Sequence, residues 1–113
     1  MKQSSSPIIQ MSPTVSRRTL AAGAEMSQMI VNLKGGSVLP VHTHVNEQII
    51  HIISGKLKLT VDGVLHEINA GESRLLKSNV PHGAAVDVDT VVLDTFSPPR
   101  EDLLKADREA MGN

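Results

Sequence analysis

Three histidines and a glutamine, His42, His44, Gln48 and His82, are the residues of this chain whose types and spacing point to chemistry. Side chains alternate between the faces of a β-strand, so His42 and His44 project to one side of a sheet, and Gln48 and Ile50 keep that parity. Glu47 and His51 have the opposite parity. The Val45-Asn46 stretch could break the alternation, so Gln48 is preferred over Glu47 as the fourth member, with Glu47 read as a rim carboxylate. His82 follows the turn signal Asn79-Val80-Pro81, which is suited to delivering a side chain to a rim from another strand. Three imidazoles and a carboxamide converging from two hairpins are ligands for one divalent metal, and these donors admit zinc, nickel, iron or manganese. A wholly neutral ligand set leaves the ion its full charge, which favours an anionic substrate and Lewis-acid chemistry. His51 and His66 read as surface or hydrogen-bonded residues.

The elements that must position these residues are strands. Met26 to Leu33 is closed by Gly35-Gly36, and Val38 to His44 follows. Ile49 to Ile53 is apolar at every position but His51, as expected of a strand buried on both faces. Leu57, Leu59 and Val61 alternate with Lys56, Lys58 and Thr60, and Asp62-Gly63 asks for a type I′ hairpin turn returning through Leu65 to Ile68. Arg74 to Lys77 is a short strand, and Ala84 to Val88 with Thr90 to Phe96 forms a last pair around Asp89. Short strands separated by Gly or Asp turns mean an all-β sandwich or barrel. Ser97-Pro98 offers a helix cap with proline in the first turn, and Leu103, Leu104 and Met111 have helical spacing. The division expected is a loose N-terminal arm over 1–14, a barrel over 15–100 and a helical tail over 101–113. From Arg100 to Glu109 charges of both signs alternate as on a solvated helix face.

Composition bounds the rest. The 113 residues make one domain, 40% hydrophobic and 20% charged, in the soluble globular range. A net charge of -1 gives no sign of a nucleic-acid or anionic-lipid partner. Cysteine is absent, which removes disulfides and thiolate chemistry, and Phe96 is the sole aromatic, which removes a phenolic acid or base. Arg17-Arg18 superficially suggests an export signal, but Glu25, Ser27 and Gln28 interrupt the apolar run that such a signal needs. A cytoplasmic protein without a membrane span is expected, acting on a small molecule, with a homodimer formed through sheet edges and the N-terminal arm.

The stretch from Gly36 through His42-Thr43-His44 and Gln48 to Gly55, followed by Gly71-Glu72 and Pro81-His82-Gly83, resembles the two motifs of the cupin superfamily. The resemblance implies a double-stranded β-helix, a jelly-roll-like barrel, with His42, His44, Gln48 and His82 on the four metal positions. Most cupins have Glu where this chain has Gln48. Val15-Ser16-Arg17-Arg18, His44-Val45-Asn46-Glu47-Gln48-Ile49 and the ending Asp94-Thr95-Phe96-Ser97-Pro98-Pro99-Arg100-Glu101-Asp102 further resemble pectin-degradation cupins. Those enzymes convert 4,5-unsaturated monouronates from pectin or alginate breakdown to linear keto forms, and the metal-side Gln is characteristic of them. The resemblance implies Asp94 as acid-base residue and Arg100 as clamp for the substrate carboxylate. The residues themselves leave other roles open, Asp94 capping a turn or pairing with Arg17 or Arg18, and Arg100 pairing with Glu101 or Asp102. A metal-dependent dioxygenase or isomerase acting on another small oxygenated molecule, and a non-catalytic sensing module, remain as alternatives.

Overall fold

The computed structural model describes residues 6–112. Ten strands precede one helix: β1 (Ile9–Ser12), β2 (Val15–Ala22), β3 (Ser27–Leu33), β4 (Val38–His42), β5 (Glu47–Ser54), β6 (Lys56–Val61), β7 (Val64–Asn69), β8 (Ser73–Leu76), β9 (His82–Ala85), β10 (Thr90–Ser97) and α1 (Glu101–Ala110). They form a six-stranded sheet in the order β1-β2-β3-β10-β5-β8 and a four-stranded sheet in the order β4-β9-β6-β7. Every pairing is antiparallel. Period-two patterning explains how the sheets face each other, because on β5 Gln48, Ile50 and Ile52 are buried while Glu47, Ile49 and Ile53 are exposed. Leu33, Ile50, Ile52, Leu57, Leu59, Ile68, Leu76, Val86 and Val92 fill the space between the sheets. The architecture is all-β with a short C-terminal helix.

Asp62 and Gly63 both take positive φ, 49° and 82°, as the β6–β7 turn requires. Three local expectations are revised. Ala84 to Val88 and Thr90 to Phe96 do not pair with each other: β9 lies between β4 and β6, and β10 between β3 and β5, so the chain changes sheet around Asp89. Ile49 and Ile53 are each 47% exposed, so β5 is covered on one face only. The helix begins at Glu101 with Arg100 at its N-cap, three residues later than the Ser97 cap proposes. Pro98 precedes Pro99 and is thereby biased out of the helical region, which delays the start. Within the segment expected as an arm, β1 pairs with β2; residues 1–5 of that segment lie outside the described residues.

The solvated face expected on α1 also has an exception. Asp107 is the buried residue of that helix, and its Oδ1 meets Arg17 Nη1 at 2.9 Å. Arg17 points inward from β2 between Val15 and Thr19, donating also to the Leu103 carbonyl at 3.1 Å. Its Nε is buried without a hydrogen-bond partner. A buried ion pair is a weak source of net stability but a strong selector of one arrangement. Here it seats α1 against the six-stranded sheet.

Candidate functional site

His42 closes β4 and stands in register with His82, the first residue of β9. Gly83 permits that approach, since a Cβ there would lie 3.0 Å from the Leu39 carbonyl oxygen and 3.1 Å from the Val41 nitrogen. His44 sits in the loop after β4. The ring centroids of His42, His44 and His82 are 4.3 to 5.6 Å apart. One ligand atom from each lies within 4.8 Å of the others.

The main chain sets the tautomer of all three rings. Nδ1 of His42 faces the Pro40 carbonyl at 3.0 Å, that of His44 the Asn46 carbonyl at 2.9 Å, and that of His82 the Val80 carbonyl at 2.9 Å. A carbonyl only accepts, so each Nδ1 carries the hydrogen and each Nε2 presents a lone pair. Burial, reinforced by the nearby Arg100 charge, holds the His44 pKa below its usual value. Burial is also the main cause that lowers His82. Neutral imidazole, the metal-binding form, is therefore favoured before any ion arrives.

Gln48 enters from β5, 7% exposed. Its Nε2 donates to Asp94 Oδ1 at 2.9 Å, which turns its Oε1 toward His44 Nε2 at 3.0 Å. With His44 neutral and its hydrogen on Nδ1, no hydrogen lies between these two atoms, and a cation placed there would satisfy both lone pairs. The residues thus fit a divalent metal, and the His42, His44 and His82 cluster can hold one.

Asp94 and Phe96 share the inward face of β10, opposite Ile50 and Gln48 of β5. Phe96 is buried, its ring edge-on to His44 at 5.8 Å between centroids. Burial raises the Asp94 pKa from the usual 3.8 to about 6, against the opposing pull of the Gln48 amide and the Arg100 charge. Arg17 pairs with Asp107, and neither it nor Arg18 forms an ion pair with Asp94, whose side-chain partner is Gln48. Arg100 lies with its guanidinium carbon 5.0 Å from the Phe96 ring centre. It also makes the ion pair with Asp102, through Nε at 3.1 Å and Nη2 at 3.0 Å.

All of these side chains but His44 and Asp102 line one cavity of ≈ 200 Å³ between the sheets. His42, Gln48, His82, Asp94 and Arg100 occupy its polar side, while Val31, Leu59 and Val92 are among its apolar walls. His51 and His66 lie elsewhere, bonded to Ser73 Oγ at 2.7 Å and to Arg74 at 3.1 Å. Glu47 is exposed on the outer face. Arg17 and Leu103 also line the cavity, and sequence reasoning did not place them there. Nothing in an arginine beside a second arginine announces burial.

Comparison with known proteins matches this arrangement. The family described as "Cupin domain" matches residues 29–96. The pectin degradation protein KdgF of Dickeya dadantii is 24% identical over 92 residues, covering 80% of this chain and 84% of that protein. The crystal structure of an RmlC-like cupin from Shewanella frigidimarina superposes with a TM-score of 0.83 at 29% identity, covering 88% of this chain and 89% of the other. The structure of KdgF from Halomonas sp. gives a TM-score of 0.81 at 25% identity, covering 86% and 90%. With the family match spanning more than half of its length, and the two-sheet barrel holding three histidines at one rim, the chain belongs to the cupin family.

Proposed function

We propose that this protein is a metal-dependent isomerase or lyase-type enzyme that opens and ketonises 4,5-unsaturated monouronates from pectin or alginate breakdown. The observation that carries the reading is Asp94, a carboxyl group held by Gln48 inside the cavity, within the same enclosure as Arg100. A divalent ion held by His42, His44, His82 and Gln48 would supply Lewis-acid polarisation of a sugar oxygen.

The protein residues account for the remaining steps. Arg100 binds the carboxylate attached to C5 and fixes the ring in the cavity. Ring opening breaks the C1–O5 bond as the C1 hydroxyl gives up its proton and becomes the aldehyde, and O5 leaves as an enol oxygen. Tautomerisation then removes the enol proton from O5 and adds one at C4, leaving a ketone at C5. No electron enters or leaves, so one carboxyl group able to take and return a proton is sufficient. Asp94, with its pKa raised toward the working pH, suits that task. The ≈ 200 Å³ cavity suits a single sugar unit. The pectin degradation protein among the relatives supports the substrate class.

The same reading makes the protein a cytoplasmic homodimer, residues 15–100 forming the barrel, 1–14 an arm and 101–113 the tail. Exposed Ile49, Ile53 and Leu75 on the outer sheet face support a second copy there. The deciding experiment follows the ultraviolet band of 4,5-unsaturated galacturonate with metal-loaded protein. Faster decay than in buffer, lowered about 10²–10⁴-fold by Asp94→Asn, is expected for loss of an acid-base group. Decay at the buffer rate, or an undiminished rate in Asp94→Asn, overturns the proposal.

A further inference from the structure

Asn46 belongs to neither the candidate ligand set nor the substrate contacts, yet it is 6% exposed and bonded in two directions. Its backbone carbonyl accepts from His44 Nδ1 at 2.9 Å. Its side-chain Nδ2 donates to the Pro98 carbonyl at 2.6 Å and to the Pro99 carbonyl at 3.2 Å. Pro98 and Pro99 immediately precede Arg100, and they connect β10, which carries Asp94, to α1.

We infer that Asn46 is a positioning residue that ties the metal-side loop to the segment aiming Arg100. The argument starts from proline. A Pro-Pro pair has no backbone N–H, so it cannot be fixed by the ladder bonds that hold a strand or helix. Its two carbonyls are the handles it offers, and Asn46 takes both. The Pro99 bond is buried and the Pro98 bond partly so, and a buried carbonyl stripped of its donor carries the full cost of desolvation. Other supports of Arg100 act at or beyond the residue itself: its N–H donates to Ser27 Oγ of β3 at 3.2 Å, its carbonyl accepts from the Leu103 and Leu104 N–H groups, and its guanidinium lies over Phe96 and pairs with Asp102. Asp102 takes the Nε–Nη2 edge, and among the described residues Nη1 has no partner. The free end of the guanidinium receives a carboxylate where the backbone of residues 98–100, anchored upstream by Asn46, places it.

This inference rests on Arg100 as the carboxylate clamp, and its test is separate from the test of the reaction. Asn46→Asp is nearly isosteric but sets an acceptor against two carbonyl oxygens, and Asn46→Ser removes both donors without adding charge. Either variant keeps the backbone oxygen that faces His44. The affinity for galacturonate and for its methyl ester is measured calorimetrically in zinc-loaded wild type, both Asn46 variants, Arg100→Ala and the Asn46→Ser/Arg100→Ala double variant. Zinc content is measured alongside. Galacturonate binding weakened about tenfold, the order set by one lost charge-assisted hydrogen bond, is expected in both Asn46 variants. Zinc content and methyl-ester affinity stay at wild-type values, and Asn46→Ser adds nothing once Arg100 is gone. Unchanged galacturonate affinity, an effect that persists in full without Arg100, or zinc lost in parallel with binding would each overturn it. Failure of the ring-opening reading shows instead in wild-type protein, as ultraviolet decay at the buffer rate, and leaves the binding comparison standing.

Discussion

The Gln48 side-chain amide donates to Asp94 Oδ1 at 2.9 Å, and that bond decides which way the carboxamide faces. With nitrogen committed to Asp94, oxygen is left for the imidazole side. Gln48→Glu replaces the donor with a second carboxylate oxygen against Asp94. Two carboxylates at hydrogen-bond distance cannot both ionise freely, and the added charge offsets half of the ion's own. Metal is expected to bind more tightly to this variant, by chelator competition, while KM for an unsaturated uronate rises about tenfold from the lost attraction, a modest penalty on the scale of site electrostatics. Equal KM in both proteins would contradict the value assigned to a neutral ligand set.

His44→Ala and His82→Ala each remove one of the imidazoles preset by a backbone carbonyl. Elemental analysis is expected to find about one divalent ion per chain in the wild type and little in these two variants. His51→Ala and His66→Ala, whose rings bond Ser73 and Arg74 outside the cavity, retain wild-type content. Metal content equal in all five proteins would remove the centre.

In metal-free protein, Asp94 gives a stability signature of definite sign. Its folded pKa of about 6 exceeds the usual 3.8, so between those values the folded state holds more protons than the unfolded state. Stability from this group is greatest at low pH and falls as pH rises through that window. His44 and His82 act oppositely: lowered below 6.5, they destabilise the fold as pH falls below that value. The contributions overlap, so urea midpoints of wild type and Asp94→Asn are compared at each pH. The variant is expected to gain stability relative to wild type from pH 4 to pH 7. A difference independent of pH would refute the assignment.

Arg17 and Asp107 are both buried and joined at 2.9 Å. Asp107→Ala leaves a guanidinium inside the protein without its counter-charge, a change that costs about 3–5 kcal/mol. Replacing both partners together, Arg17→Met with Asp107→Leu, is expected to restore most of that loss in denaturant titrations. A double variant as unstable as the single one would show that the pair contributes through more than charge.

Much of the site could be read from residue spacing because parity is a local property. The inward parity of Gln48 with Ile50 holds in β5, whereas β4 ends at His42, two residues short of the expected strand, and His44 reaches the site from the loop and not by strand alternation. Asp94 shares strand parity with Phe96, and both face inward. What spacing cannot carry is partner choice between strands. Ala84 to Val88 and Thr90 to Phe96 look like a hairpin because they are adjacent, yet they join different sheets. The β2 strand was hidden for another reason: its inward positions are Val15, Arg17 and Thr19, and a buried arginine breaks the apolar alternation that marks a strand. Asn46 was visible only as a break in the pattern, since its bonds reach residues 52 and 53 positions away.

The Arg17–Asp107 pair has a consequence for synthesis. Arg17 leaves the ribosome long before its partner, which follows 90 residues later. Until that acid is made, the guanidinium must stay hydrated, and the side of the vessel that Arg17 and Leu103 complete stays open to water. That flank of the interior therefore closes only when the final helix docks and brings Asp107 to Arg17.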